Sequence, residues 1–234
     1  DVMVGVGVNF VHGDYQYNRY FNEVDFNDDN DGSGLTTDFE SLSLNEALYT
    51  SMWGINLRSG ISAALTPNVR IGLTVESPTA YDISEDYTML LDTYFDNGDA
   101  FSDRQNVIND YGMTTPWRFG GGAAFTLSML TIGADAEYVD WSQMRLNAHG
   151  RGDFSFDEVN RQIRRDYDAV LNASVGASLA LGETVTLRGG YAVQPDPRPT
   201  ETLDRSKEFF SAGIGLRFQR TLQIDIGWKH GRFG

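Results

Sequence analysis

From Ala169 the odd positions read Ala, Leu, Ala, Val, Ala, Leu, Leu, and the even ones Val, Asn, Ser, Gly, Ser, Ala. A tight Gly182-Glu183 turn follows. The alternation then resumes with Val185, Leu187, Gly189, Tyr191 and Val193 against Thr186, Arg188, Gly190 and Ala192. Successive side chains of a strand point to opposite faces, so this pair predicts a hairpin with one apolar face and one polar, glycine-rich face. Nine such segments run through the chain. Val2 to Phe10 is the first, then Trp53 to Leu65, Val69 to Val75, Trp117 to Leu127 and Leu130 to Tyr138. The quoted pair follows, and Phe210 to Phe218 and Leu222 to Trp228 complete the set. Pro78, inside an alternating run, predicts a bulge or an end of pairing.

The connections alternate as regularly as the side chains. Turns near Thr66-Asn68, Ser128, Gly182-Glu183 and Gln219-Thr221 are very short, whereas the stretches near 16–47, 82–115, 146–166 and 195–207 are long. A soluble meander buries its apolar face, while a membrane barrel turns it to lipid and keeps the polar face for the lumen. Short turns on one side, long loops on the other, and aromatics at the loop ends (Trp53, Trp117, Tyr138, Trp141, Tyr191, Trp228) predict an outer-membrane barrel with an interfacial girdle. The fold class is therefore all-β, a transmembrane antiparallel up-and-down barrel, with residues 1–234 as a single barrel segment. Nine strands with an unpaired edge at each end do not close a bacterial barrel, so the sequence reads as a fragment of one. Ser43-Leu44-Asn45-Glu46 reads as a capping box that opens a short helix.

Charge sharpens the picture through its location. The net charge is −15, with no cysteine for disulfides or thiolate metal sites. Residues 14–47 hold nine acids against Arg19, and residues 82–115 hold eight against Arg104. The rest of the chain is balanced. Nothing forms the basic stripe that nucleic acid requires, so nucleic acid is excluded as a partner.

Several stretches resemble the outer-membrane long-chain fatty-acid and hydrocarbon transporters of the FadL/TodX type. Tyr138-Val139-Asp140-Trp141-Ser142-Gln143 is similar to their Tyr-x-x-Trp-Ser-x-Phe strand end. Trp53-Gly54-Ile55-Asn56, the Leu65-Thr66-Pro67-Asn68 turn, Thr115-Pro116-Trp117, Leu187-Arg188-Gly189-Gly190-Tyr191 and Pro195-Asp196-Pro197 follow in the family's order. The resemblance implies a barrel of about fourteen strands around an N-terminal hatch, of which this chain supplies strands five to thirteen. It also implies a bacterial outer-membrane location and passive uptake of hydrophobic small molecules, fatty acids or hydrocarbons, with neither cofactor nor chemistry. Lipid and lipopolysaccharide are the implied surroundings, and a monomer the implied state.

The family's capture groove lies between its third and fourth extracellular loops, which here would be 16–47 and 82–115. Candidate groove residues are Tyr20, Phe21, Phe26, Phe39 and Leu42 in the first, with Met89, Leu90, Leu91, Tyr94, Phe95, Phe101, Val107 and Ile108 in the second. Apolar side chains on exposed loops either pack on each other or line such a groove. The polar faces of the strands supply a lumen network of Arg58, Arg70, Glu76, Arg118, Asp135, Glu137, Arg188, Arg217, Asp225 and Lys229. It would serve as a polar pathway or as ion pairs that hold a plug.

Other readings compete. A polar-solute porin predicts an open lumen and loops without the apolar content of 87–113, and a structural or adhesive barrel would bind no lipid. Asn27-Asp28-Asp29-Asn30-Asp31-Gly32 with Asp38 partly imitates a calcium loop, but Asp stands where the twelfth-position Glu belongs. No dedicated metal site is expected, and weak divalent binding would fall on Asp29, Asp31 and Asp38. His12, His149 and His230 lie in no catalytic constellation, so the chain reads as a non-enzyme.

Overall fold

The computed structural model describes residues 1–26, 39–148, 155–198, 204–218 and 222–233. The strands are β1 (Val2–Val24), β2 (Phe39–Thr66), β3 (Val69–Glu76), β4 (Ala80–Phe95), β5 (Ala100–Thr114) and β6 (Arg118–Leu127). They continue with β7 (Leu130–Asp140), β8 (Arg145–Ala148), β9 (Ala169–Leu181), β10 (Val185–Gln194), β11 (Lys207–Phe218) and β12 (Leu222–Phe233). One helix, α1 (Asp157–Asp166), and a single 3-10 turn at Trp141–Gln143 are the helical pieces among the described residues.

All strands join one antiparallel sheet. Its wall consists of nine strands in chain order: the first half of β1, the second half of β2, then β3, β6, β7, β9, β10, β11 and β12. These coincide with the nine alternating segments of the sequence. The tight connections also fall as expected at Thr66-Asn68, Ser128 and Gly182-Glu183, while Gln219-Thr221 lies outside the described residues. Thr66 Oγ1 accepts the N–H groups of Asn68 (3.2 Å) and Val69 (3.1 Å), which fixes the first turn. Gly182 sits at φ 68°, where a side chain would be strained, and Ser128 adopts φ 52° in its turn.

The apolar face of the wall has no protein against it. Val4, Val6 and Ile226 are 72, 77 and 62% exposed, and among the described residues only Ile83, Val139, Ile163 and Val170 form buried hydrophobic positions. A soluble sandwich would bury this face, so it is the lipid-facing side. The opposite face lines an open hollow of about 940 Å³ that reaches from Arg58 and Ser62 on β2 to Lys229 on β12. Arg70, Gly122, Asp135, Ser174, Gly176 and Arg188 line it between those limits. This concave polar face is the lumen side.

The long connections differ from expectation. Residues 16–47 and 82–115 are loops in the sequence reading, yet most of them are strand. β1 continues to Val24, β2 begins at Phe39, and β4 and β5 form a hairpin beside them. The wall is thereby extended into a four-stranded module above the membrane. Ser43-Leu44-Asn45-Glu46 lies inside β2, paired with β1 on one side and β4 on the other, and not in a helix. Cross-strand pairing on both edges outweighs the local capping signal there. Pro78 falls at the seam between β3 and β4, as predicted. Conversely, 146–166 contains α1, whose acidic first turn (Asp157, Glu158) and basic last turn (Arg164, Arg165) suit the helix dipole. Asn160 ties it to β8 through both the N–H and the C=O of Leu146, each at 2.8 Å.

Candidate functional site

The module reverses the polarity of the wall. Below, outward positions are apolar and inward ones polar. Above, the inward face carries rows such as Tyr17–Leu48–Tyr87–Val107 and Phe21–Leu44–Leu91–Asp103, one residue from each of β1, β2, β4 and β5. Its outward face reads Asp14–Ser51–Ser84–Asp110 and Asn18–Ala47–Thr88–Asn106. The reversal follows the surroundings: the outer face leaves lipid for water, and the apolar side chains turn to the only sheltered side.

Two devices produce it. In β1 and β2 the sequence itself changes phase: Val4, Val6, Val8 and Phe10 are even and outward, whereas Tyr15, Tyr17 and Phe21 are odd and inward. In β3 and β4 the odd positions stay apolar except at Glu85 and Thr93, and the backbone changes face instead. Between Arg58↔Glu76 and Ile55↔Ala80 the register against β2 steps by one residue, across Ser77-Pro78-Thr79. The same break recurs opposite it, at Thr115-Pro116-Trp117 between β5 and β6, because Glu76↔Arg118 and Ala80↔Thr114 keep one register. Thr115 donates its N–H to the Thr79 carbonyl (3.1 Å), and the Thr79 N–H reaches Thr115 Oγ1 (2.8 Å), stitching the two breaks together.

A polar belt divides the two levels. The Asn9 amide donates to Asn56 Oδ1 at 2.7 Å, and Asn56 Nδ2 donates to Thr79 Oγ1 at 2.7 Å and Glu76 Oε1 at 3.3 Å. Arg58 stands 3.9 Å from Glu76, Arg118 binds Glu137 at 3.2 Å, and Asn172 donates to the same Glu137 oxygen at 3.1 Å. Asn56 and Thr79 are buried, and every hydrogen-bonding group of Asn56 has a partner here. Such groups are costly to bury alone and stabilising as a satisfied network. Further down, Arg188 pairs with Asp225 at 2.5 Å, Ser174 donates to Asp135 at 2.5 Å, and Lys229 Nζ lies 4.1 Å from the Phe209 ring centroid. Among the described residues Arg70 has no carboxylate partner.

The predicted network therefore resolves into parts. Arg58, Glu76, Arg118 and Glu137 form the belt, Arg188 and Asp225 form a second pair with Arg217 near it, and Arg70, Asp135 and Lys229 line the cavity between. The predicted groove divides as well. Phe21, Phe39, Leu42, Met89, Leu91, Phe95, Phe101 and Val107 share the inward face. Tyr20, Leu90, Tyr94 and Ile108 lie on the outward one, and Phe26 stands beyond the end of β1, 90% exposed. Ile108 instead borders an outward hollow of about 920 Å³ with Trp53, Asp82, Ser84, Asp110 and Phe156. Tyr15, Leu48, Met52 and Ile83 belong to the inward face although they were not singled out from sequence. Period-two alternation continuing with opposite phase past Phe10 was the signal that marks them.

Several polar groups on the inward face pair with one another. The Tyr87 hydroxyl donates to Glu46 at 2.7 Å, and the Tyr111 hydroxyl to Glu85 at 3.0 Å. Arg19 lies 3.5 Å from Glu46 and 5.9 Å from the Phe21 ring centroid. Burial, and then the bond to Glu85, pushes the Tyr111 phenol up to about 12. The bond to Glu46 raises that of Tyr87. On the outward face His12 Nε2 stands 3.4 Å from Asp14, and His230 stacks on Trp228 with centroids 5.8 Å apart. His149 and the possible divalent ligands Asp29, Asp31 and Asp38 lie outside the described residues. Among the described residues there is no cluster of His, Asp and Glu suited to a metal.

The strand end singled out in the sequence is a local lock. Asp140 accepts from the Ser142 N–H (3.1 Å), the Ser142 hydroxyl (2.6 Å) and the Gln143 amide (2.9 Å), closing β7 into its 3-10 turn. Arg118 lies 5.5 Å from the Trp141 ring centroid above it. Known proteins agree with this architecture. The family model for outer membrane protein transport proteins (OMPP1/FadL/TodX) matches residues 1–232. The chain belongs to this family. Like other FadL/TodX-type chains it is an outer-membrane transmembrane β-barrel protein, present here as an open, partial barrel. The solved CymD monoaromatic hydrocarbon channel superposes with a TM-score of 0.55 at 14% identity, over 100% of this chain and 75% of that one. The Pseudomonas putida toluene transporter TodX gives 0.48 at 13% identity, over 97% and 72%. A Pseudomonas aeruginosa FadL homologue gives 0.47 at 14%, over 85% and 67%. No curated protein sequence matches the chain.

Proposed function

We propose that this FadL/TodX-type chain takes part in passive uptake of hydrophobic small molecules, and that the inward face of the module is where such a molecule first binds. The observation that carries this reading is the reversal of polarity: above the membrane the sheet turns its apolar rows away from water and over the mouth of a polar lumen. An apolar molecule on that face leaves water at a gain of about 0.8 kcal/mol per methylene, which requires no chemistry and no energy source. Fatty acids and hydrocarbons both fit this description, and the solved CymD channel for monoaromatic hydrocarbons lends it support. A polar-solute porin would have no use for rows such as Phe21–Leu44–Leu91 above its lumen. In this reading outer-membrane lipid and lipopolysaccharide surround the wall, and the chain acts as a monomer.

The test compares faces. In the full protein that carries this chain, held in lipid nanodiscs, binding of a fluorescent long-chain probe is measured for a Leu44→Ser/Leu91→Ser variant and a Leu90→Ser/Ile108→Ser variant. The inward pair should weaken binding by about tenfold or more and the outward pair should leave it unchanged. Equal effects of the two pairs, or no saturable binding at all, would reject the reading.

A further inference from the structure

The proposed capture face carries information about the headgroup of its ligand, a step that rests on the reading above. Residues 11–54 and 79–115 contain two permanent cations, Arg19 and Arg104, against seventeen acids. Arg104 aligns with Leu90, Asn45 and Tyr20 on the outward face. Arg19 points inward but is held by Glu46 and Phe21. The connecting stretch 27–38 contains no Lys, Arg or His in its sequence. The inward acids are Glu23, Glu46, Glu85 and Asp103. Two hydroxyl donors beside the apolar rows, Tyr87 and Tyr111, are already committed to two of those carboxylates.

We infer that the capture face selects uncharged hydrophobic molecules, such as hydrocarbons or neutral esters, and rejects the carboxylate of a free fatty acid. A carboxylate seated among these rows would find the inward cation of the described strands, Arg19, already paired with Glu46, and would face four like charges. Burying an anion without a partner is strongly unfavourable, and like charges across an interface add to the cost. A neutral chain meets only the apolar rows and asks nothing of the polar groups. Cations do occur in the lumen, where Arg58, Arg70, Arg188 and Lys229 line the cavity. Arg58 lies in the belt and the other three below it, so they act on a molecule only as it leaves the capture face. The two levels thus differ in charge: the capture face is acidic, whereas the cavity below carries both signs, with Asp135 and Glu137 beside those cations.

The test uses two photo-reactive probes with the same diazirine-bearing sixteen-carbon chain, one a free acid and one its methyl ester. Both are applied at neutral pH and low salt to the full protein in nanodiscs, and cross-linked peptides are mapped. The ester should label the peptides of residues 39–54 and 80–114 about tenfold more than the acid. A Glu46→Gln/Glu85→Gln variant should raise acid labelling toward that of the ester. Unchanged ester labelling in that variant reports an intact face. Equal labelling by acid and ester in the native protein would overturn the headgroup inference while leaving the capture reading standing. Acid labelling that stays low in the variant would also overturn it, because the named carboxylates would not be the cause. Labelling of those peptides by neither probe would overturn the capture reading, and the inference with it.

Discussion

The wall and the module above it are built from the same strands and obey opposite rules. Along β1, Val4 and Val6 face lipid, and further up the same strand Tyr15 and Tyr17 face inward. What changes between them is the solvent outside, not the backbone. The comparison teaches that apolar side chains in this chain report which side is dry at each height. In the membrane that side is the outside; above it, the inside. The polar belt around Asn56 and Glu76 marks the height at which the rule changes.

The largest expected break in that comparison comes from one charge placed at two heights. Leu73→Arg puts a cation on the lipid-facing wall, where it should cost about 2–4 kcal/mol. Ile108→Arg puts the same charge on the outward face above, where water receives it and the change should stay within about 0.5 kcal/mol. Urea unfolding in lipid vesicles measures both, and similar losses would mean that the two outer faces share one environment.

A smaller effect is expected where the rule changes. Gly54 lies under the Tyr81 ring, and a Cβ there would come within 2.7 Å of the ring and 3.0 Å of Thr79. Gly54→Val should therefore cost about 1–3 kcal/mol, whereas Gly7, with open space around it, should accept Ala with little change. The additional variant Tyr81→Ala should restore part of the Gly54→Val loss, and thermal unfolding of the three proteins tests the pairing.

The smallest effect is spectroscopic. Tyr111 should ionise near 12 in the folded protein, against an ordinary tyrosine range near 10. The folded phenol holds its proton more tightly than the free side chain. The stabilisation is thus complete below the ordinary range and is lost as pH climbs toward 12. Subtracting the ultraviolet titration of Tyr111→Phe from that of the native protein should leave a single step near the higher value. A step near 10 would place Tyr111 in water.

Most of the wall was legible in sequence because lipid imposes a strict period of two on every strand that crosses it. The nine segments, the three described short turns and the break at Pro78 all follow from that. The module was less legible. Its strands alternate too, but Glu46, Glu85 and Asp103 interrupt the apolar face, and the density of acids in 16–47 and 82–115 resembles solvated loop. Selecting apolar residues by composition put Leu90 and Ile108 with Leu91 and Val107, although neighbours in a strand face opposite ways. The phase change at Phe10–Tyr15 separates them. Belt partners such as Asn9 and Asn172 carried no signal of their own. Neutral amides stand out only once the register brings them to Asn56 and Glu137.

The paired breaks at Pro78 and Pro116 have a mechanical meaning. β1 and β2 run unbroken from the membrane to the rim and form a stiff mast. The neighbouring hairpin of β4 and β5 is creased along one line across both its strands, where regular ladder bonds give way to the two contacts between Thr79 and Thr115. Bending stiffness is lowest where the ladder is thinnest. A load on the rim of the hairpin therefore passes sideways into the mast, because β4 is laced to β2 from Ala80 to Phe95 while the crease below carries little of it.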